Sequence, residues 1–452
     1  MMRNPCLMAV LLLLSQGEEV RAQVPTSEEQ QYLFSVLPLI EKGQLAQAEE
    51  RLGVGIKLYP RSAILHNAQG IVYQRQNKLD KAIGAFQEAL ALLPTFTAAQ
   101  LHLAELYRQR GERKEAARWF ATASESTTQF EALATAGVGL AQCGEYGRAI
   151  QALEKAQALR PDSEPVSYNL ALARYKMREF QAAWDTLKSI PSMAQRADLL
   201  FLRGQVQHAL NQGGSEDLAK ACRLEPSSED FCTEAALALM QEERPQEALS
   251  LLEKSLEESP SSIALLSSLG LVQFRLGKYP EAIHSYKRAI EQDPVADASR
   301  EGLAFLLYML GDLEQARAVT EEGLKDPDAD FYLDQLHAMI LYRLSSQLWK
   351  EALKSVNRAI KKNPRFAPSF FLRGKIQMEL NELANALQDF EMAAQLDSKY
   401  ALPHYKMAQI FLKQGRMEHA EVARKKFFEL GQQREEELLL RQTQDLLMRR
   451  AQ

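Results

Sequence analysis

Four cysteines in 452 residues are too few for a disulfide-built domain, and no Cys-x-x-Cys pair offers a zinc or dithiol signature. Charge of one sign is missing as well. Lys and Arg number 54 against 59 Asp and Glu, a net charge of −5, which argues against a surface built to grip nucleic acid. No apolar run reaches the ~20 residues that a membrane-spanning helix needs. The seven histidines (66, 102, 208, 284, 337, 404 and 419) stand apart, with no His-x-x-x-His and no cysteine at ligand spacing. There is no Gly-x-Ser-x-Gly elbow, and Gly137-Val138-Gly139 is followed by no third glycine that would make a phosphate loop.

What is present begins with a short apolar run, Leu7 to Leu14, behind the single positive charge of Arg3. That run is too short to span a bilayer but suits the core of an export signal. Val20-Arg21-Ala22 supplies a cleavage site before Gln23. Cys6 precedes the run and so is no lipid-attachment residue. The expected division is a signal over 1–22, a linker over 23–28 and a folded mature chain. The expectation is export to a periplasm or the exterior, or a cytoplasmic protein if the segment is no signal.

The mature chain repeats itself. Ala48, Ala82, Ala116, Ala149, Ala183, Ala248, Ala282, Ala316, Ala352, Ala386 and Ala420 recur mostly every 33 to 36 residues. The one interval of 65 is two repeats with one compressed. Asn77, Gly111, Gly144, Gly277, Gly311, Asn381 and Gly415 each lie five residues before one of these alanines, where a left-handed residue would end one helix and start the next. Prolines at 60, 94, 161, 226, 260, 294 and 364 keep the same beat.

Ile263 to Pro294 is the fullest copy, with Gly270, Ala282 and Ala289 at small positions, Leu269 and Tyr286 at large ones and Pro294 as the stop. This copy resembles the tetratricopeptide repeat. Twelve copies in phase begin near 29, 63, 97, 130, 164, 197, 229, 263, 297, 333, 367 and 401. The resemblance implies an all-α chain: an α-solenoid superhelix of about twelve helix pairs over 29–431, closed by a capping helix over 432–452. Irregularity is expected near 211–218, where Gly213-Gly214 replaces the alanine. In the tenth copy Ile340 stands at the small position.

The resemblance also implies a concave wall made by the first helix of each pair. Its exposed positions carry Tyr168, Tyr175, Phe201, Phe274, Phe305, Tyr308, Phe371 and Tyr405, a candidate groove for a peptide or partner protein. The carboxylate-clamp residues of some family members are absent: Leu33, Leu37, Ala68, Ala98 and His102 stand there instead. A second feature is charge patterning. Residues 291–334 hold twelve acidic and three basic side chains, and 343–375 hold nine basic and one acidic. Lys350, Lys354, Arg358 and Lys362 step by four along one helix face, a solvated stripe or a contact for an anionic surface.

Cys222 and Cys232 fall on consecutive helices. They read either as two small packing residues or as a disulfide in an oxidising compartment, with Cys143 unpaired in both cases. Coverage of the whole mature chain by repeats leaves no room for a catalytic domain. The expected function is an exported, non-enzymatic interaction scaffold needing no cofactor or metal and taking a protein or peptide partner. The alternatives are a binder of acidic protein, lipid or nucleic acid through 343–375, and an accessory subunit that recruits a separate enzyme.

Overall fold

The computed structural model describes residues 27–190, 195–293 and 297–431. The expected export signal and the expected capping helix lie outside these residues. Among the described residues there are twenty-four α-helices and a 3-10 turn at Ser346–Leu348, with no strand. They fall into twelve consecutive pairs.

The chain divides into two compact units, one running to Gln195 and the other from Arg196, with 209–211 grouped with the first. The first unit holds five pairs. They are α1 (Ser27–Glu41) and α2 (Leu45–Leu58), α3 (Ala63–Arg75) and α4 (Leu79–Leu92), and α5 (Thr97–Gln109) and α6 (Arg113–Glu125). Then come α7 (Phe130–Gln142) and α8 (Tyr146–Leu159), and α9 (Glu164–Lys176) and α10 (Phe180–Leu187).

The second unit begins with α11 (Ala197–Ala209) and α12 (Ser215–Leu224), followed by α13 (Glu229–Gln241) and α14 (Pro245–Glu258). It continues with α15 (Ile263–Arg275) and α16 (Tyr279–Gln292), then α17 (Asp297–Leu310) and α18 (Leu313–Gly323). Its remaining helices are α19 (Phe331–Leu344) and α20 (Trp349–Lys362), α21 (Ala367–Glu379) and α22 (Leu383–Leu396), and α23 (Leu402–Lys413) and α24 (Met417–Glu429).

The turns explain the pairing. Eleven of the twelve turns inside a pair carry a positive-φ residue: Gly43, Asn77, Gly111, Gly144, Arg178, Asn211, Glu243, Gly277, Gly311, Asn381 and Gly415. At Gly277 the last carbonyls of α15 are taken by the reversing chain, Gly277 N–H donating to Phe274 and Lys278 N–H to Gln273. This left-handed cap turns the helix back on itself within three residues. Between pairs the connection carries no positive-φ residue among the described residues and is mostly extended, and a serine often opens the next helix. Ser262 accepts the Leu265 N–H at 3.2 Å, the expected N-cap bond.

Inside each pair a large side chain of the second helix sits on a small residue of the first. A Cβ added to Gly70 would lie 2.5 Å from Phe86, one on Gly137 2.6 Å from Leu153, one on Gly270 2.7 Å from Tyr286 and one on Gly374 2.7 Å from Phe390. Only a residue without a side chain lets the helices come that close. Ala89, Ala156, Ala289 and Ala393, one turn further along each second helix, are fully buried.

Two places are irregular, and of these the tenth pair departs from expectation. In the tenth pair the first helix starts at Phe331 rather than near 333, so Ala338, fully buried, takes the small position and Ile340 does not. The two extra residues sit after the helix, in the 3-10 turn at Ser346–Leu348. In the sixth pair α12 has only ten residues, and α10 in the fifth pair has eight. Gly214 has φ +118, and a Cβ there would lie 2.4 Å from the Gly204 carbonyl oxygen, so glycine is required.

Candidate functional site

Within each unit most consecutive first helices touch one another, and this decides what their inner face can offer. Phe305 is fully buried, Phe274 is 8% exposed and Phe371 is 4% exposed. These three are core residues, not groove residues, which corrects the sequence expectation. Phe274 and Phe305 meet edge to face at 6.0 Å between ring centroids, across α15 and α17. Phe371 lies against Phe390 at 5.7 Å and Tyr400 at 5.1 Å. The physical reason is geometric. A bulky side chain on the inner face of a first helix can reach a neighbouring helix before it reaches solvent, and burying it there is favourable.

The other aromatics keep some exposure. Tyr168, Tyr175, Phe201 and Tyr308 are half-buried, and Tyr405 is exposed. Tyr175 packs on Phe180 at 5.7 Å, Phe201 on Phe231 at 4.5 Å and Tyr405 on Phe427 at 5.3 Å.

Repeats nine to eleven add residues that sequence reading overlooked. The Arg343 guanidinium lies over the Tyr308 ring at 5.0 Å, and its Nη1 donates to the Tyr308 carbonyl at 3.1 Å. One pair further on, Lys375 Nζ lies over the Tyr342 ring at 5.0 Å and over Phe371 at 5.9 Å. Tyrosine and cation thus alternate along α17, α19 and α21. Tyr342 matches Tyr308 and Phe274 once the tenth helix begins at 331. The 36-residue step between Ala316 and Ala352 was the signal that could have revealed it. Cations held on aromatic faces keep their charge while losing little motion, and a partner carboxylate can meet them from outside.

The basic stripe of α20 is only partly free. Arg358 Nε binds Asp334 Oδ1 at 2.7 Å and Lys362 Nζ lies 2.9 Å from Asp334 Oδ2. Asp334 is fully buried on α19, so these two cations compensate an interior charge that would otherwise be costly. Lys362 also donates to the Ala329 carbonyl at 2.6 Å. Lys350 and Lys354 are exposed. The four do not form a continuous cationic surface.

Cys222 on α12 and Cys232 on α13 are joined by a disulfide, with 4.8 Å between their Cα atoms, so the sixth and seventh pairs are covalently stapled. Cys143 is free and half-buried, and burial raises its thiol pKa, which disfavours the reactive thiolate. His102 stacks on Phe86 at 5.3 Å, and burial pushes its pKa down to about 4. His337 bonds Thr320 Oγ1 at 2.8 Å, and burial lowers its pKa too. Both are interior imidazoles with structural partners.

Sequence profiles described as tetratricopeptide repeat match residues 39–95, 233–283 and 267–330, and a second such profile matches 73–137. A profile described as TPR repeat matches 374–415. The chain belongs to the tetratricopeptide repeat superfamily.

Among curated proteins, the BBSome complex member BBS4 homolog of Drosophila melanogaster is 24% identical over 273 residues. The tetratricopeptide chain spans about half of that relative, 55%, as the match spans 55% of this chain. Yeast Tom70 is 14% identical over 93% of this chain and 95% of its own, with a TM-score of 0.42. The APC/C hetero-tetramer Cut9–Hcn1 gives 13%, 94%, 96% and a TM-score of 0.40. Neither structural likeness is close enough to bear on function. The tetratricopeptide repeats imply a protein–protein interaction scaffold. No helix among the described residues is long and apolar enough to cross a membrane.

Proposed function

We propose that this chain is an exported, non-enzymatic scaffold that holds an extended, acidic segment of a partner protein on the first-helix face of repeats nine to eleven. The observation that carries the reading is the alternation of Tyr308, Arg343, Tyr342 and Lys375 on three consecutive first helices. Aromatic surface supplies contact area at little entropic cost, and the two cations supply charge selectivity. The apolar ninth positions of repeats nine and ten are already filled by Phe305 and Met339, so the partner lies on a packed floor instead of filling pockets. The Drosophila relative carries the name of a complex member, which fits a subunit role.

Export is supported by the signal-like N-terminus and by a staple that suits an oxidising compartment. Protein purified from its host should begin at Gln23, and a chain beginning at Met1 in the reducing cell interior would remove export. For the site, affinity capture from envelope extracts should recover a specific protein. That recovery should fall sharply in a variant carrying Arg343→Glu and Lys375→Glu, with helicity unchanged. Recovery indifferent to the double reversal refutes the site, and an intrinsic turnover refutes the scaffold reading.

A further inference from the structure

Among the twelve described pairs, the tenth is the one whose turn holds no left-handed residue, and it lies beside the aromatic and cationic side chains of the proposed site. In the ninth pair the turn runs Tyr308-Met309-Leu310-Gly311-Asp312-Leu313, and the Gly311 N–H donates to the Tyr308 carbonyl at 3.2 Å. The fifth and eighth pairs close the same way, Arg178 N–H donating to Tyr175 and Gly277 N–H to Phe274. In all three the ring residue stands five positions before the first residue of the second helix. Phe180 and Tyr279, at those first positions, lie 5.7 Å from Tyr175 and 6.1 Å from Phe274.

In the tenth pair Ser345 occupies the place of Gly311, but it is extended, with φ −162, and its N–H donates to Leu341 instead. Trp349 opens α20 and follows Tyr342 by seven positions rather than five. A side chain stands in for the turn bond. Trp349 Nε1 donates to the Tyr342 carbonyl at 3.2 Å, and the indole lies 6.0 Å from the Tyr342 ring at 30°. Trp349, Leu348 and Tyr342 pack against the same buried core. The other partner of the Tyr342 ring is the Lys375 ammonium, at 5.0 Å.

We propose that Trp349 is a positioning residue for the acidic-segment site: it holds Tyr342 by ring and carbonyl together, and Tyr342 in turn holds Lys375 where a partner carboxylate meets it. This role rests on the function proposed above. Arg343 needs no such support, because its own guanidinium donates to the Tyr308 carbonyl. An indole suits the task, since its body packs as an apolar surface while its N–H reaches an acceptor. Cations locked in place before the partner arrives lose less freedom on binding.

Two measurements on the full chain test this. The first needs no partner. Lysine amines carrying ¹³C-methyl groups keep their charge, and the Lys375 resonance, assigned by its loss in Lys375→Arg, should lie upfield because of the Tyr342 ring. Trp349→Phe keeps a ring but removes the N–H, and should move that resonance towards those of exposed lysines. Deleting Ser346 and Gln347 together with Ser345→Gly rebuilds the ninth pair's turn, and in that background Trp349→Phe should leave the resonance where it is. A Lys375 resonance indifferent to Trp349→Phe in the native turn overturns the proposal.

The second measurement uses a fluorescent decaglutamate peptide at low salt. Trp349→Phe should weaken its binding about two- to tenfold, the penalty for ordering one long side chain, and Lys375→Met should remove that sensitivity. Binding that depends on Lys375 but not on Trp349 overturns the positioning role alone. A peptide that the unaltered chain does not bind, or binds equally after Arg343→Glu and Lys375→Glu, overturns the site and this role with it.

Discussion

Tyr286 is wedged between two glycines, and replacing one of them sets two opposed effects against each other. A Cβ on Gly302 would lie 2.5 Å from the Tyr286 Cζ and 2.7 Å from Cε1, and a Cβ on Gly270 would lie 2.7 Å from the same Cε1. The ring is 2% exposed, held by α15 of its own pair and α17 of the next. It cannot tilt away from Gly302 without meeting Gly270. Gly302→Ala gains about 1 kcal/mol in helix propensity. Overpacking a tight core costs about 1–3 kcal/mol, and a ring blocked on its other side belongs at the upper end. The expected net loss is therefore about 1–2 kcal/mol. Gly84, in α4, is the control, because a Cβ there meets nothing within 4 Å. Gly84→Ala should stabilise by about 0.5–1 kcal/mol.

Long repeat arrays need not unfold in one step, so the assay is native-state hydrogen exchange read separately at α4 and at α15 to α17. Exchange should slow locally for Gly84→Ala and quicken locally for Gly302→Ala. Adding Tyr286→Leu should relieve the second variant. Leu153 fills the equivalent place in the fourth pair, where the residue matching Gly302 is the larger Asn169. If Gly302→Ala stabilises as much as Gly84→Ala, the close-contact account of these pairs is wrong.

Phe305→Ala should lose about 3–5 kcal/mol, as for a buried Phe, while Tyr405→Ala should stay within ~0.5 kcal/mol; similar melting shifts for the two would contradict the assignment of core and surface. Arg178 and Glu243 hold φ of 63° and 60° in turns where most pairs use Gly or Asn, so Arg178→Gly and Glu243→Gly should each raise local stability by about 1 kcal/mol, measured by the same exchange. Reducing the Cys222–Cys232 bond, which closes a ten-residue interval, should cost about 3 kcal/mol at α12 and α13; an unchanged melting curve with a thiol reductant, or peptide mapping that finds both thiols free in the native chain, counts against the staple. His102 is neutral when folded until pH falls to about 4, whereas the unfolded chain takes up its proton near 6.5. Its contribution is thus complete above pH 6.5 and is lost as pH falls towards 4, despite the opposing pull of Glu105, and His102→Leu should flatten that part of the stability–pH curve.

Periodicity alone determined a great deal here. The spacing of alanines and of Gly or Asn turn residues implied twelve antiparallel pairs, their boundaries and the small positions, because contacts within a pair are local and depend on a few residues of fixed type. Even so, Arg178 and Glu243 adopt the left-handed turn without the residue type that announces it, since tertiary packing of the two helices outweighs the local strain. The tenth pair shows a second boundary. The two extra residues between Ala316 and Ala352 were countable in the sequence, but whether they lengthen the entrance or the exit of α19 depends on which side chain, Ala338 or Ile340, sits against α20.

The candidate site was the least legible part. Phe274, Phe305 and Phe371 share their sequence positions with residues that remain half-exposed, such as Tyr308 and Phe201. Their burial follows from how closely neighbouring first helices approach, which is set by side chains one repeat away. The same holds for Arg358 and Lys362, whose partner Asp334 is one helix back, and for Cys222 and Cys232, left open by spacing alone. Helix faces are a property of the 3.6-residue period, which one strand of sequence carries. Which face meets solvent is a property of the stack, and only the packed pairs decide it.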